Sequence, residues 1–208
     1  MRKLDDCIIA SETMVYSIGS DIKKRAAVLL INSPKIIYRV LYVQKNELKP
    51  TWEQICTVFP MGELLDENTH SFDSKIYTNN TSKIHWIAAV PKQSIEHTLS
   101  NALYALGKSS EVRKMDTLEC RFIDLYKDEE DAWLVFSQDE NFRIIVIIDS
   151  LPSAVYFISA KRELMESQLS RMAVPKKIYF IDIPWVYNID ISWLYEFYDE
   201  NNIIRRKI

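Results

Sequence analysis

The spacing of apolar residues predicts alternating strands and helices in the first half of the chain. Residues 25–44 read as two strands, because apolar runs flank the polar turn Asn32-Ser33-Pro34. Residues 49–59 predict a helix with Thr51 as its N-cap. Residues 61–82 are polar and irregular, and we expect one short strand there, around residues 75–77.

The clearest local pattern is WIAAVPKQSIEHTLSNALYALG, residues 86–107, where a buried strand meets a proline and then an amphipathic helix. Pro91 is expected to open the helix and Gly107 to end it as the C′ residue. Ser94 lies in the first helical turn without a GxSxG elbow, so we expect it to bond locally instead of acting as a nucleophile. A further short strand near Val112 and another helix are expected to follow.

The second half predicts the order β-β-β-α-β-α. The acidic turn at residues 127–131 is the best internal boundary, and it divides the chain into lobes at 1–128 and 129–208. The predicted strands are residues 132–137, 142–149, 154–160 and 177–183, with helices at 161–172 and after Asp190. The pattern predicts an α/β protein of two lobes.

Composition narrows the function mainly by exclusion. The net charge of -3 does not favour nucleic acid or direct membrane binding, and we expect the basic run Arg205-Arg206-Lys207 to be a solvated tail. Three widely spaced cysteines predict a reducing compartment, and the sequence predicts neither a signal peptide nor a membrane-spanning segment. These features predict a cytoplasmic protein.

Glycine is scarce, which argues against a nucleotide site. The three glycines, Gly19, Gly62 and Gly107, lie 43 and 45 residues apart. Phosphate-binding loops need several glycines close together, so that backbone N–H groups can approach the phosphate oxygens. We therefore expect no P-loop, no GxGxxG motif and no bound cofactor.

Candidate catalytic groups are sparse. The three histidines have no metal-ligand spacing, and the cysteines have no flanking motif with a positioned histidine. Asp149 and Asp182 each end or nearly end a predicted strand, where two carboxylates could hold a divalent metal for phosphoryl transfer. A metal-dependent phosphotransfer enzyme of RNase H-like topology is therefore one alternative, although both aspartates also suit ordinary turns. An unrelated α/β interaction domain is another.

Aromatic residues concentrate near the C-terminus, in PWVYNIDISWLYEFY at residues 184–198. Tryptophan and tyrosine are common at protein interfaces, because they join a large apolar area to a polar group. We predict a partner-binding surface that includes Trp185, Tyr187 and Tyr195, and no metal or cofactor ligands.

Three stretches, in order, resemble the PilM family of actin-like pilus assembly proteins, with its GspL and competence-protein relatives. They are KRAAVLLINSPKIIYRVLYVQKNELKPTWEQICTVFPM, then GELLDENTHSFDSKIY leading into KIHWIAAVPKQSIEHTLSNALYALG, and the β-β-β-α-β order after Asp131. Within them, Val58-Phe59-Pro60-Met61 takes the place of an aromatic-Pro-aromatic segment, and Val90-Pro91-Lys92 that of the family's A-x-P-K. The resemblance implies an actin-like (RNase H-like) fold of mixed sheets flanked by helices, in two lobes.

The glycine-rich ATP loops of that family are missing. YSIGSDIKK lacks the preceding strand-ending aspartate, FSQDENFR has no glycine, and Pro184-Trp185 replaces the later glycines. The resemblance thus implies a shortened, non-catalytic scaffold of a type IV pilus or type II secretion-like apparatus. It would dock the cytoplasmic tail of a single-span membrane protein. An open sheet edge, left where the usual N-terminal strands are missing, could also pair two copies as a homodimer.

Overall fold

The computed structural model describes residues 7–18, 27–43, 50–59, 66, 68–106, 112–138, 141–183 and 191–207. The chain divides into two compact units, Met1–Leu125 (unit 1) and Tyr126–Ile208 (unit 2). The boundary expected from the acidic turn lies three residues further along the chain.

Unit 1 contains three helices and seven strands among the described residues. In chain order they are β1 (Cys7–Ala10), β2 (Val15–Ile18), β3 (Ala27–Ile31), β4 (Ile37–Val43), α1 (Trp52–Val58), β5 (His70–Thr78), β6 (Lys83–Pro91), α2 (Lys92–Leu106), β7 (Val112–Thr117) and α3 (Leu118–Leu125).

The strands of unit 1 form two sheets. Sheet A has the order β2-β1-β3-β7, in which β1, β3 and β7 run parallel and β2 is antiparallel to β1. Sheet B is antiparallel, with the order β4-β6-β5. The two strands predicted for residues 25–44 are therefore real, but they belong to different sheets and do not form a hairpin.

Local sequence signals explain how α1 and β6 form. Thr51 caps α1 as predicted: its hydroxyl accepts from Gln54 N, and its own N–H donates to the Gln54 side chain. In β6 nearly every position is buried, so the sheet has two covered faces. On one face α1 packs over a cluster that includes Phe59 and Ile87.

Unit 2 adds five strands and two helices. They are β8 (Ala132–Gln138), β9 (Asn141–Ile148), β10 (Leu151–Ser159), α4 (Arg162–Leu169), β11 (Lys177–Asp182), α5 (Ser192–Phe197) and β12 (Ile203–Lys207), with a 3₁₀ turn at Glu200–Asn202. They form sheet C in the order β10-β9-β8-β11-β12, in which β8, β11 and β12 are parallel. β9 and β10 complete an antiparallel meander.

The core of unit 2 lies on one face of sheet C, beneath α4 and α5. Trp133 and Phe180 belong to a cluster of thirteen buried residues, and Trp193 of α5 packs on Phe142 at 5.0 Å between ring centroids. The opposite face is buried as well, as shown by Leu134 and Ile145 at 0% exposure. Apolar runs on these strands reflect this two-sided burial.

Several sequence expectations are corrected. The basic run Arg205-Arg206-Lys207 is exposed, as predicted, but it is not a free tail, because it belongs to β12, which pairs with β11. The short strand expected around residues 75–77 extends over His70–Thr78. Two strands that the pattern did not predict, β1 and β2, precede β3 in sheet A. Gly107 lies outside the described residues, so its role as a helix terminator stays a prediction.

Candidate functional site

A cleft of about 420 Å³ opens in unit 1 between strands β5 and β7. Ser71–Lys75 of β5 line one side, and Lys114–Thr117 of β7 line the other. The floor is apolar and includes Ile31, Trp86, Val90 and Ile95. We call this feature the β5–β7 cleft.

Both walls of the β5–β7 cleft are strands at the end of a sheet. β5 ends the order of sheet B, and β7 ends the order of sheet A. The terminal strand of a sheet presents main-chain N–H and C=O groups that an extended segment can use. Two of these N–H groups bond to the preceding aspartate: Ser74 N to Asp73 Oδ1 at 2.8 Å, and Thr117 N to Asp116 Oδ1 at 2.9 Å.

The floor is rigid because its largest residue is held by its neighbours. Trp86 is 1% exposed and stacks on Tyr38, with ring centroids 5.4 Å apart. The Tyr38 hydroxyl in turn donates to Glu119 Oε2 at 2.6 Å, which ties β4 to the first turn of α3. The apolar surface is therefore already formed before any ligand arrives.

The charges around the cleft are arranged in compensating pairs. Lys75 of β5 forms a very short ion pair with Asp124 of α3 and lies 3.9 Å from Asp116 of β7. Lys114 also approaches Asp116, at 3.4 Å. The cleft consequently has an apolar floor and a rim of mixed charge.

The titratable groups beside the cleft are poor catalysts. Burial raises the pKa of the Cys120 thiol to about 12, so the thiol stays protonated near neutral pH and is a weak nucleophile. Burial also raises the pKa of the Tyr77 hydroxyl, which donates to Asp124 at 3.3 Å. Among the described residues, no group of three or more His, Cys, Asp or Glu side chains is placed to hold a metal ion.

The turn between β1 and β2, residues 11–14, does not fit a nucleotide phosphate. The Ser11 hydroxyl accepts from the N–H groups of Thr13 (3.3 Å) and Met14 (3.0 Å), so a phosphate would have to displace both hydrogen bonds to use these donors. The neighbouring Glu12 carboxylate accepts from Lys35 at 2.9 Å and from the Ser94 hydroxyl at 2.7 Å. These hydrogen bonds, that of Lys35 first, lower the pKa of Glu12, so a negative charge occupies this turn.

Ser94 thus forms a specific contact, but not the one expected. It is buried on α2 and bonds a side chain across the unit, in place of the local backbone. Asn101 of the same helix donates to the backbone oxygen of Glu12 at 2.7 Å. α2 therefore clamps the β1–β2 turn.

The structure separates the two aspartates of the phosphotransfer alternative. β9 is antiparallel to β8 and β11 is parallel to it, so the carboxyl ends of β9 and β11 lie at opposite ends of sheet C. Asp149 N bonds Asp131, just before β8 begins, whereas Asp182 lies beyond the Phe180–Val135 pair. The registers place Asp149 level with Glu130 and Asp182 level with Ser137, so about seven residues of strand, roughly 23 Å, separate them. They cannot share a metal ion, and the alternative that uses this pair is wrong.

Each aspartate has a structural role instead. Asp182 accepts two hydrogen bonds from the Arg205 guanidinium, at 2.6 and 2.9 Å, and so fastens β12 to β11. Asp149 has a positive φ of 50° in the turn between β9 and β10, a conformation that aspartate tolerates.

Of the three predicted partner residues, only Tyr195 lies in the described part of the chain, and it does not line the cleft. Tyr195 is on α5 of unit 2 and 48% exposed, whereas Trp185 and Tyr187 lie outside the described residues. The histidines are dispersed: His85 is buried in β6, His70 contacts Thr69, and His97 is on the exposed side of α2. The partner-binding role of these aromatics stays a prediction.

Sequence reasoning missed the cleft residues Met115, Asp116 and Lys75. Their only signal is the mixture of charged and apolar residues in HSFDSKIYT and VRKMDT, which is typical of strands with one exposed edge. None of the helices in the described ranges has the length and apolar content needed to span a bilayer.

No protein-family model and no curated protein matches the sequence. Among solved structures, the chain is similar to a Bacteroides thetaiotaomicron VPI-5482 protein with an actin-like ATPase fold and unknown function. The TM-score is 0.53 at 9% identity, over 97% of this chain and 90% of that one. The predicted actin-like fold is therefore confirmed.

Two other solved structures are similar over less of their length. One is the PilM-PilN type IV pilus biogenesis complex, with a TM-score of 0.48 at 14% identity over 76% of this chain. The chain spans 62% of that protein's length. The other is the cytoplasmic domain of EpsL, an inner membrane component of the Vibrio cholerae type II secretion system, with a TM-score of 0.49 at 10% identity, over 86% of this chain and 74% of that domain.

Proposed function

We propose that this protein is a non-catalytic, cytoplasmic, actin-like scaffold of a type IV pilus or type II secretion-like assembly apparatus. Its β5–β7 cleft docks an extended cytoplasmic segment of a membrane-anchored partner. The observation that carries the proposal is the geometry of this cleft, in which two terminal strands face each other over an apolar floor.

The main chain of the walls favours an extended occupant. A segment laid along β5 or β7 can form ladder hydrogen bonds, as in other cases of strand addition. Asp73 and Asp116 already accept from one wall N–H each, which keeps those donors satisfied until the segment replaces the carboxylates.

The side chains select an uncharged apolar occupant. Met115, 42% exposed, offers apolar surface over a floor that includes the buried Trp86 and Val90, and about 420 Å³ is enough for a few side chains. Lys75 and Lys114 are already matched by Asp116 and Asp124, so a charged residue on the segment would find no unmatched partner of opposite sign among these four groups.

The absence of catalysis is supported by chemistry at two places. The β1–β2 turn has its donors bonded to Ser11 and bears the Glu12 carboxylate, which repels phosphate. The Cys120 thiol beside the cleft stays protonated. The pilus or secretion setting is supported by the sequence resemblance to the PilM family and by the actin-like fold.

A second contact on unit 2 is compatible with this role. Tyr195 is exposed on α5, near the aromatic segment that contains Trp185 and Tyr187. We propose that these residues form a separate partner contact on unit 2, without any metal or cofactor.

The proposal is tested by titrating the chain with synthetic peptides. The peptides are the cytoplasmic segments of any single-span membrane proteins whose genes lie beside this chain's gene, and calorimetry measures the Kd of each. We expect Met115→Glu to weaken binding at least tenfold, because it places a charge beside the apolar floor, where Met115 is 42% exposed.

Tyr104→Glu is the matched control. Tyr104 is 92% exposed on α2 and does not line the cleft, so the variant should bind the peptide with the same Kd as the wild type. Equal affinity of both variants, or no binding by the wild type, would overturn the docking proposal.

A further inference from the structure

β10 is an unusually apolar terminal strand. It ends the order of sheet C, and its nine residues, LPSAVYFIS, include no charged side chain. Natural proteins protect such strands with charges, bulges or a covering element, because the outer main-chain groups are a template for another strand. In β10 a bulge between Pro152 and Ala154 protects the N-terminal end, and the pairing is regular from Ala154 to Ser159. Tyr156 and Phe157, at its centre, are 43% and 40% exposed.

A side chain on α4 shows where the outer hydrogen-bonding groups of β10 point. Ser159 N donates to Gln168 Oε1 at 3.1 Å, and Gln168 Nε2 donates to Phe157 O at 3.4 Å. Gln168 thus imitates one residue of a neighbouring strand and covers the C-terminal end of this edge. The β9 pairing is regular from Ala154 to Ser159, so Val155 also directs its N–H and C=O outward.

One of the exposed aromatics is held in place. The guanidinium carbon of the buried Arg143 lies 4.4 Å from the centroid of the Phe157 ring and 5.9 Å from that of Phe136. This row of side chains crosses β8, β9 and β10 and fixes the Phe157 ring at the edge. A fixed aromatic ring loses little side-chain entropy on association.

The charges at the two ends of β10 suit an antiparallel pair of identical strands. Asp149 precedes the strand by two residues, and Lys161 follows it by two. When two copies pair about a two-fold axis at Val155, the Asp149 end of one copy lies beside the Lys161 end of the other. In such a pair, the uncharged centres of the two strands face each other, and each negative end lies beside a positive end.

We propose that β10 is a homodimer interface, in which two copies pair antiparallel about Val155 and join their C sheets into one. The surface belongs to unit 2 alone, so the inference does not depend on the cleft. Gln168 limits the pairing, because it holds Phe157 O and Ser159 N that a longer ladder would use.

Light scattering coupled to size exclusion, from about 1 to 200 µM of the full chain, tests the interface. Two variants are compared with the wild type, one expected to weaken the dimer and one expected to strengthen it. We expect Tyr156→Lys to weaken the dimer at least tenfold, since the two-fold axis brings the two new lysines close together. We expect Gln168→Ala to strengthen the dimer about threefold or more, because it opens two further hydrogen-bonding groups.

Circular dichroism melting confirms that both variants are folded, as the exposure of Tyr156 predicts. A wild type that is monomeric over the whole range overturns the proposal. So does a dimer whose Kd is unchanged in both variants, since it must then form through another surface.

Discussion

Sheets A and C begin with the same plan but end differently. Each sheet contains an antiparallel hairpin, and two later strands are added in parallel beside the first strand of that hairpin. The resulting orders are β2-β1-β3-β7 in unit 1 and β9-β8-β11-β12 in unit 2. Sheet C adds β10 and covers its core with α4 and α5. Sheet A has strands of four to six residues, and between β3 and β7 the chain instead forms sheet B and α2.

The two units share a strand order, but only unit 1 has a cleft lined by two terminal strands among the described residues. In unit 2, thirteen buried residues, Trp133 and Phe180 among them, form one cluster beneath α4 and α5. In unit 1, two strands that end different sheets, β5 and β7, line a cleft. A well-packed face stabilises the fold, whereas the edge of a terminal strand can receive a further strand.

The largest expected loss of stability comes from a substitution in the core of unit 2. Trp133 is 1% exposed and meets Tyr198 edge-on at 5.2 Å. Trp133→Ala should lower the free energy of unfolding by about 3–5 kcal/mol, through lost burial and the cavity that remains. Urea titration followed by circular dichroism measures it. Leu164→Ala, at a position 55% exposed on α4, should change it by less than about 0.5 kcal/mol.

The next effect concerns the ion pairs behind the cleft. Lys75→Met removes the cation that faces Asp124 and Asp116, whose side chains are 28% and 15% exposed, and should cost about 1–2 kcal/mol of unfolding free energy. Arg162→Met in unit 2 removes two ion pairs, with Glu166 and Glu196, at a position 70% exposed, and should leave the urea midpoint almost unchanged. Equal losses in urea titrations would contradict the distinction between the two networks.

A smaller effect depends on pH. Lys35 and Ser94 hold the pKa of Glu12 in the folded chain below its ordinary value of 4.5. The ionised carboxylate therefore stabilises the fold fully above the unfolded pKa, and this contribution is lost as the pH falls through the folded pKa. Glu12→Gln should lower the urea midpoint at pH 7, and the difference from wild type should shrink below about pH 4.5.

Glu129 offers the corresponding test in unit 2. Burial acts to raise its pKa, but hydrogen bonds from Tyr179 and Lys177 hold the pKa below its ordinary value. Glu129→Gln should therefore show the same dependence on pH. For either residue, a difference in urea midpoint between variant and wild type that is as large at pH 3 as at pH 7 would contradict a lowered pKa in the folded chain.

The smallest effect is the one expected from nucleotide. Because the β1–β2 turn does not fit a phosphate, millimolar Mg-ATP should leave the melting temperature unchanged. A ligand present at a hundred times its Kd would stabilise the fold by about 2.7 kcal/mol, a shift that thermal melting detects easily. Micromolar affinity for Mg-ATP would contradict a non-catalytic scaffold.

The elements that the sequence predicts well are those specified by neighbouring residues. The capping pair of Thr51 and Gln54 marks the start of α1, and long apolar runs mark β6, β8 and β9. β1, β2 and β12 were missed because they are four or five residues long and are stabilised by pairing with distant strands. For β12, the partner of Arg205 is Asp182, 23 residues earlier.

The candidate site was harder to predict because it depends on strand direction. Asp149 and Asp182 both end strands in the sequence, but the antiparallel direction of β9 places them at opposite ends of sheet C. In the same way, Lys75 and Asp116 meet only because β5 and β7 end two different sheets. No local pattern encodes either arrangement.

Hydrogen exchange with and without the partner peptide shows whether an extended segment docks in the β5–β7 cleft. We expect the peptide to slow exchange of the outward amides of β5 and β7, including those of Ser74 and Thr117, and to leave exchange in β8 and β9 unchanged. Protection confined to α5 and its neighbours in unit 2, with β5 and β7 unaffected, would contradict docking in the cleft.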